Sequence, residues 1–182
     1  MRILFTAAIL AAAASATPAF AQDAGTQNFN GPHIEAIAGY DSLGGGGDST
    51  DGILYGIAGG YDFRINNLVL GLEAEAAEST AGDCAGGICV DASRDLYVGG
   101  RIGAVVSPNV LIYGKLGYTN ARVQVTSGNV TDGANLDGIR AGAGVEWQFR
   151  NSPVSIRAEY RYSNYQDGLD RHQGVIGLAY RF

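Results

Sequence analysis

Apolar and polar residues alternate with a period of two along most of the chain, a spacing typical of β-strands with one polar and one apolar side. Eight runs show this alternation. They span residues 32–41, 52–63, 68–78, 94–106, 110–125, 138–149, 154–163 and 173–182. No strong helical pattern interrupts the runs, so the sequence predicts an all-β protein.

One set of alternate positions in each run is apolar or small, and the other set carries charges and glycines. Leu70 and Leu72, for example, alternate with Gly71 and Glu73. A soluble lipocalin-type barrel also has eight strands, but with the two faces swapped. Here the apolar set carries aromatic residues near strand ends, as membrane barrels do. The charged set, thinned by glycines, suits a crowded interior better than a water-facing surface. We therefore expect the apolar face to contact lipid.

The connections between the runs alternate between short and long. The short ones are Arg64–Asn67, Ser107–Asn109 and Arg150–Pro153, and the longer ones lie near residues 42–51, 79–93, 126–137 and 164–172. Asn or Pro marks each short turn, whereas Gly, Asp, Ser and Asn dominate the longer segments. This alternation of short and long connections predicts an eight-stranded antiparallel up-and-down transmembrane β-barrel with short periplasmic turns and longer extracellular loops.

The first residues have the features of a secretory signal peptide. Arg2 gives a positive start, an apolar stretch follows, and Ala19–Ala21 matches the small-x-small cleavage pattern. We therefore divide the chain into a signal peptide (1–21), a short periplasmic N-terminal segment (22–30) and an outer-membrane β-barrel domain (31–182).

The amino-acid composition limits the classes of partner that the chain can bind. Without Arg2, residues 22–182 hold 11 basic and 18 acidic residues, a net charge of −7. No basic stripe is available to neutralise phosphates, so we expect no nucleic-acid partner. No segment after residue 21 has the roughly 20 apolar residues of a transmembrane helix. A membrane-spanning form of this chain therefore crosses with strands.

Charged residues on the inward positions form a predicted ion-pair network in the barrel lumen. Its members are Glu35, Glu73, Glu75, Arg101, Lys115, Arg140, Glu146, Arg157, Glu159, Arg161 and Arg181. The five acids and six bases nearly cancel, and charges in so narrow an interior must be paired or hydrated. We expect a structural core that fills the lumen, because eight strands leave just enough room for side chains. A narrow conducting pore is the alternative.

Cys84 and Cys89 lie close together in the second long connection. In an exported protein the default expectation is a disulfide between them. Two thiols alone make a poor metal site, so we expect no metal ion and no cofactor. Aspartates in the long connections suit solvated turns, with divalent-cation bridging to anionic lipid headgroups as the alternative.

Three segments carry a family resemblance that covers essentially all of residues 22–182. The segments Tyr113–Tyr118 and Arg157–Tyr165 resemble the porin-like, opacity-type small outer-membrane proteins of alphaproteobacteria. Residues 174–182 look like the terminal strand that the outer-membrane assembly machinery recognises, with Tyr180 and Phe182 as its signal. The resemblance implies outer-membrane location, surface exposure, and envelope-integrity or host-contact roles.

An enzymatic alternative comes from eight-stranded barrels that remove or transfer acyl chains of lipid A. Deacylases of that kind carry a His-x-Ser-Asn run on a late strand. The matching run here is Arg161-Tyr-Ser-Asn164, with arginine in place of the base. Arginine stays protonated in proteins, so Ser163 lacks an activator there unless His172 approaches it. We expect no enzymatic activity.

The sequence thus favours a structural, surface-interaction protein that contributes to envelope integrity. A narrow pore and an adhesin are the alternatives, and a lipid A-modifying acyl hydrolase is less favoured. The expected partners are outer-membrane lipids and the assembly machinery. We expect a monomer, and no sequence feature names a surface ligand.

Overall fold

The computed structural model describes residues 28–45, 48–85, 88–127, 130–166 and 169–182. The signal peptide predicted for residues 1–21 lies outside these ranges. The described strands are β1 Gly31–Gly45, β2 Asp48–Ile65, β3 Leu68–Ser79, β4 Gly82–Ala85, β5 Ile88–Ser107, β6 Val110–Ser127, β7 Val130–Gln148, β8 Val154–Tyr165 and β9 Asp170–Arg181. No helix in the described ranges has the length and hydropathy needed to span a membrane.

The strands form one closed antiparallel sheet. Each strand from β5 onward pairs with the next, β9 pairs back onto β1, and β3 pairs with both β2 and β5. The short β4 continues the line of β3 after a break at Thr80 and Ala81, and it pairs with the start of β5. Counting β3 and β4 as one staggered strand gives eight. The predicted eight-stranded barrel is confirmed.

Closure of the barrel satisfies the backbone groups of the two end strands. Residues 33–44 of β1 pair with residues 170–181 of β9 in continuous register. The amide of Phe182 then donates to the carbonyl of Pro32 at 3.0 Å. In lipid no water is available to replace these bonds, so an open sheet would leave both edges unsatisfied.

The strands continue further into the long connections than the alternation predicts. Pairing of β1 with β2 runs to Gly45 and Asp48, and pairing of β6 with β7 runs to Ser127 and Val130. Gly, Asp and Ser disfavour strands on average. A neighbouring strand in register nevertheless supplies partners for every backbone group, so the hairpins stay paired. We call this the hairpin end of the barrel, and the opposite end the turn end.

The apolar side chains lie on the outward face of the sheet and the polar side chains on its inward face, as the alternation predicts. Apolar side chains such as Leu72 and Ile139 point outward and stay 67% and 64% exposed. Inward positions are packed so closely that a Cβ built at Gly99 would overlap the Tyr97 ring. Glycine in these strands therefore makes room for large inward side chains.

An apolar layer closes the lumen at the turn end. Phe29 is fully buried there and clusters with Val69, Val105, Leu111 and Tyr113. Its backbone adopts a φ of 65°, in the left-handed region that a bulky residue rarely enters. Burial of the ring offsets this strain, and the sequence pattern gave no sign that the predicted N-terminal segment enters the barrel.

Hydrogen bonds fix this N-terminal segment across the mouth. The side chain of Asn28 donates to the carbonyl of Pro108 at 2.7 Å, and the Arg64 guanidinium donates to the carbonyl of Asn28 at 2.8 Å. The amide of Arg64 also donates to the side-chain oxygen of Asn30 at 3.1 Å. Residues 28–30 thus act as a stopper beneath the lumen.

Replacing Phe29 by alanine should lower the free energy of unfolding by about 3–5 kcal/mol, the usual cost of emptying a buried aromatic site. Urea titration in detergent micelles measures the loss. Phe63→Ala is the control, because that ring lies at the same end but is 55% exposed on the outward face. Equal effects of the two substitutions would contradict the stopper role of Phe29.

Candidate functional site: the charged lumen

The inward positions gather charged side chains into a column along the barrel axis. All eleven residues of the predicted lumen network point inward and are buried, with exposures of 0–7%. Each lies on the inward parity of its strand, so the alternation alone sets its direction. Together with further inward residues they form three groups, one at the centre of the barrel and one toward each end.

The central group is built around two cations. Lys115 Nζ lies 2.9 Å from Glu73 Oε1 and 2.7 Å from Glu159 Oε1. Arg157 contacts Glu73 at 2.9 Å with one terminal nitrogen and pairs with Glu35 through the other. These contacts join four strands, β1, β3, β6 and β8, across the lumen.

Two further arginines extend the centre toward the hairpin end. Arg161 pairs with Glu159 and places a terminal nitrogen 2.6 Å from Glu75 Oε1. Arg140 lies 3.3 Å from the same Glu75 oxygen and 2.5 Å from Asp95. Arg140 therefore links the central group to the hairpin-end group.

The hairpin-end group pairs Arg171 with two aspartates. Its Nε donates to Asp41 Oδ1 at 2.6 Å, and its Nη1 lies 3.1 Å from Asp95 Oδ2. Gln173 donates to Asp41 at 3.2 Å, and the Ser79 hydroxyl donates to Asp41 at 2.5 Å. Asp41 thus has hydrogen-bond donors from strands β3 and β9.

The turn-end group is a square of two arginines and two acids. Arg101 donates to Asp62 Oδ1 at 2.7 Å and to Glu146 Oε2 at 3.1 Å. Arg181 reaches the same two acids at 2.7 and 3.1 Å. His33 Nδ1 lies 3.2 Å from Asp62 Oδ2. The negative charges of Asp62 and Glu146 are therefore each compensated by both arginines.

Two inward tyrosines fill space between the charges. Lys115 Nζ lies 4.6 Å from the centre of the Tyr97 ring, and the Arg157 guanidinium carbon lies 5.0 Å from that of Tyr113. The Tyr113 hydroxyl donates to Glu159 at 2.6 Å. Cation–π contacts and hydrogen bonds of this kind let the rings pack among ions.

The prediction missed several members of the column, namely His33, Asp41, Asp62, Asp95 and Arg171. Asp62 and Asp95 lie on the inward parity of their runs, so the alternation itself could have identified them. Arg171 falls in a segment predicted as a loop, where the inward parity was not extended. Among the described residues, the buried set now holds eight carboxylates and seven Arg or Lys side chains, plus His33. The lumen is therefore nearly neutral.

The serine–histidine pair that the disfavoured enzymatic alternative requires does not form. Ser163 is fully buried, and its hydroxyl accepts a hydrogen bond from Arg140 Nε at 2.8 Å. His172 lies opposite Tyr162 in the β8–β9 register and points outward, whereas Ser163 lies opposite Arg171. His172 instead contacts the Tyr160 hydroxyl at 2.6 Å and Asp170 at 3.2 Å. The sheet separates the two side chains.

The remaining predicted residues lie away from the lumen. Cys84 and Cys89 are directly opposite in the β4–β5 backbone register. Their side chains fall outside what the structure describes, and the disulfide stays a prediction. Tyr180 and Phe182 lie on the outward face with ring centres 5.0 Å apart. Their role as an assembly signal also stays a prediction.

The family model described as "Outer membrane protein beta-barrel domain" matches residues 6–182. The chain belongs to this family. It is therefore an outer-membrane protein, as the resemblance implied, and the short turns of such barrels face the periplasm. The turn end is accordingly periplasmic, and the hairpin end is extracellular.

Named relatives come from alphaproteobacteria. The chain is 28% identical over 127 residues to the 25 kDa outer-membrane immunogenic protein of Brucella ovis, covering 70% of this chain and 62% of that protein. It is 28% identical over 149 residues to the 22 kDa outer membrane protein of Rhizobium leguminosarum bv. viciae, covering 73% and 70%. The match thus spans under two thirds of the Brucella protein.

Solved structures show the same fold. The Yersinia pestis attachment invasion locus protein Ail, crystallised with a heparin analogue, superposes with a TM-score of 0.63 at 20% identity, covering 84% of this chain and 99% of that one. Neisserial surface protein A superposes with a TM-score of 0.65 at 17% identity, covering 84% and 98%. At these identities the likeness concerns the fold alone.

Replacing Arg161 by alanine should destabilise the barrel by about 3–5 kcal/mol, because Glu75 and Glu159 each lose a cation while remaining buried. Urea titration and the temperature at which the folded gel band disappears both report the loss. Arg150→Ala is the matched control, since Arg150 is exposed in the β7–β8 turn. An Arg161 variant as stable as this control would show that Lys115 and Arg140 compensate Glu159 and Glu75 without Arg161.

Proposed function

We propose that this protein is a non-enzymatic outer-membrane barrel that supports envelope integrity through its lipid-facing and extracellular surfaces. The observation that carries the proposal is the ion-paired column that occupies the lumen. The charged side chains inside the barrel pair with one another and stabilise it. Interaction with other molecules is therefore left to the outer surface and the hairpin end.

The lumen geometry favours a plug over a pore. A permeating ion would have to displace paired side chains such as Arg157 and Glu73, which lie 2.9 Å apart. Breaking a buried pair costs several kcal/mol. Phe29 and its apolar neighbours add a second barrier at the periplasmic mouth.

A surface-contact role is the second candidate. The β5–β6 and β6–β7 hairpins reach Ile88, Ser127 and Val130, well beyond the ten or so residues per strand that a bilayer requires. These extensions project paired strands above the membrane. The names of the attachment invasion locus protein Ail and of Neisserial surface protein A refer to attachment and to surface location, and they supply the analogy for an adhesin-like role.

Purified protein in planar bilayers should conduct little or no current, because the paired charges leave no hydrated path along the axis. A general porin reconstituted in the same way provides the positive control. Steady, ion-selective openings by the folded protein would overturn the plug and favour the narrow pore.

A deletion strain should become more permeable to large or hydrophobic dyes, and the wild-type gene should restore the barrier. Ser163→Ala and His172→Ala should restore it equally, since the two side chains lie on opposite faces of the sheet. Lipid A mass spectra of all these strains should be identical. An acyl chain whose loss depends on Ser163 would contradict the non-enzymatic role, and an unchanged barrier in the deletion strain would contradict the integrity role.

A further inference from the structure

A polar cavity of about 680 Å³ lies at the periplasmic end of the barrel, beside the stopper. Asn28 and Asn30 of the stopper line it, together with the β7–β8 turn. Asn109 of the β5–β6 turn, Gln148 at the end of β7 and Arg181 of β9 complete the polar lining. Its size falls in the range of small-molecule sites, and its lining consists mainly of hydrogen-bonding side chains.

Two buried side chains of this lining each have a polar atom without a hydrogen-bond partner among the described residues. Gln148 donates through Nε2 to the carbonyl of Ser152 at 3.1 Å, but its Oε1 accepts no hydrogen bond. Arg181 donates through its terminal nitrogens to Asp62 at 2.7 Å and Glu146 at 3.1 Å, but its Nε has no acceptor. Both residues are only 7% exposed. Buried polar groups are almost always hydrogen-bonded, so a ligand that brings one donor and one acceptor would supply the missing bonds.

The β7–β8 turn adds an uncompensated cation to the cavity. Arg150 is exposed and makes no hydrogen bond or ion pair within the described ranges. The turn around it is ordered, because the amide of Phe149 donates to the carbonyl of Val154 at 3.0 Å and the amide of Ser152 to that of Phe149 at 3.3 Å. Asn151 takes a φ of 55°, which asparagine tolerates better than most residues. The turn therefore holds Arg150 at the cavity with its guanidinium open to a ligand.

The accessible side-chain charges at this end of the barrel are positive. Arg64 and Arg150 lie in the short turns, and none of the three turns contains Asp or Glu. The nearby acids Asp62 and Glu146 are fully buried and already paired with arginines. Because like charges repel and opposite charges attract, this end favours an anionic group approaching from the periplasm.

These groups together define the chemistry of a ligand. Guanidinium pairs best with a planar anion such as a carboxylate, which fits Arg150. The free oxygen of Gln148 needs an N–H or O–H donor, and Arg181 Nε needs an acceptor oxygen. A secondary amide offers one donor and one acceptor. An acylated amino acid, the last unit of any peptide, carries an amide and a carboxylate on the same carbon.

We propose that this cavity binds the carboxyl-terminal unit of a peptide, with its carboxylate on Arg150 and its last amide on Gln148 and Arg181. The site goes beyond the proposed function, which concerns the outward surface and the hairpin end. It would connect the periplasmic side of the barrel to a peptide-bearing partner. Stem peptides of the cell wall, with D-residues, and the C-termini of periplasmic proteins, with L-residues, share this chemistry.

Titration of the isotope-labelled, folded protein in detergent micelles, followed by two-dimensional NMR, measures binding residue by residue. The probes are N-acetyl-D-alanyl-D-alanine, N-acetyl-L-alanyl-L-alanine, the carboxamide of each dipeptide, and acetate. The acid of the preferred dipeptide should shift the signals of Asn151 and Ser152 and leave that of Asp137 at the hairpin end in place. It should bind about ten-fold more tightly than its carboxamide, the scale expected for a hydrogen bond to a charged group. It should also bind more tightly than acetate, which has no amide.

Variants separate the cation from the rest of the site. Arg150→Gln should lower the affinity for the acid to that for the carboxamide, while the affinity for the carboxamide stays unchanged. Arg94→Gln is the matched control, because it makes the same change of charge at an exposed position of β5 near the hairpin end, and it should bind like wild type. Heat-modifiable gel migration verifies the fold of each variant. A variant without residues 22–27 separates an external ligand from the chain itself.

Equal affinity of wild type for the acid and its carboxamide would overturn the proposal, as would unchanged binding in the Arg150 variant. Acetate that binds as tightly as the dipeptides would show a simple anion site and refute recognition of the amide. Binding seen only after removal of residues 22–27 would show that the chain's own segment occupies the cavity, which also refutes the proposal. Preference for the D-dipeptide would support cell-wall peptides as the source, and preference for the L-dipeptide would support protein C-termini.

Discussion

A charge inside an eight-stranded barrel has no room for a full hydration shell, so it depends on opposite charges from other strands. Arg140 illustrates this dependence, because it is fully buried and contacts Glu75 from β3 and Asp95 from β5. The same requirement restrains the strand register. A slip of one residue would turn a whole set of charges toward lipid. The lumen chemistry and the closure of the sheet therefore reinforce each other.

Filling the interior with ion pairs determines where interaction can occur. The lumen is occupied, and Phe29 closes its periplasmic mouth. On the proposed function, the surfaces left for partners are the lipid-facing wall and the extended hairpins. The wall is apolar along most of its height.

The alternation of apolar and polar residues was enough to predict the fold and the direction of every proposed lumen charge, because period two assigns each side chain to a face. It could not predict which charges meet, since partners such as Arg157 and Glu35 are set by closure. Arg171 was missed because flanking Asp and Gly residues resembled a loop. The stopper at Phe29 left no periodic signal, because Phe29 precedes the first alternating run.

Many of the lumen ion pairs join residues that are far apart in the chain. Arg157 and Glu35 are separated by 122 residues, Arg171 and Asp41 by 130, and Arg181 and Asp62 by 119. Contacts this remote form late in folding, because the chain between them must first be ordered. Until β1 and β9 meet, cations on the last two strands lack their acidic partners and must remain in water. The first and last strands therefore join and the interior loses its water in a single event. A barrel that has not completed this event keeps a hydrated interior and an open sheet edge, and it cannot insert stably in the bilayer.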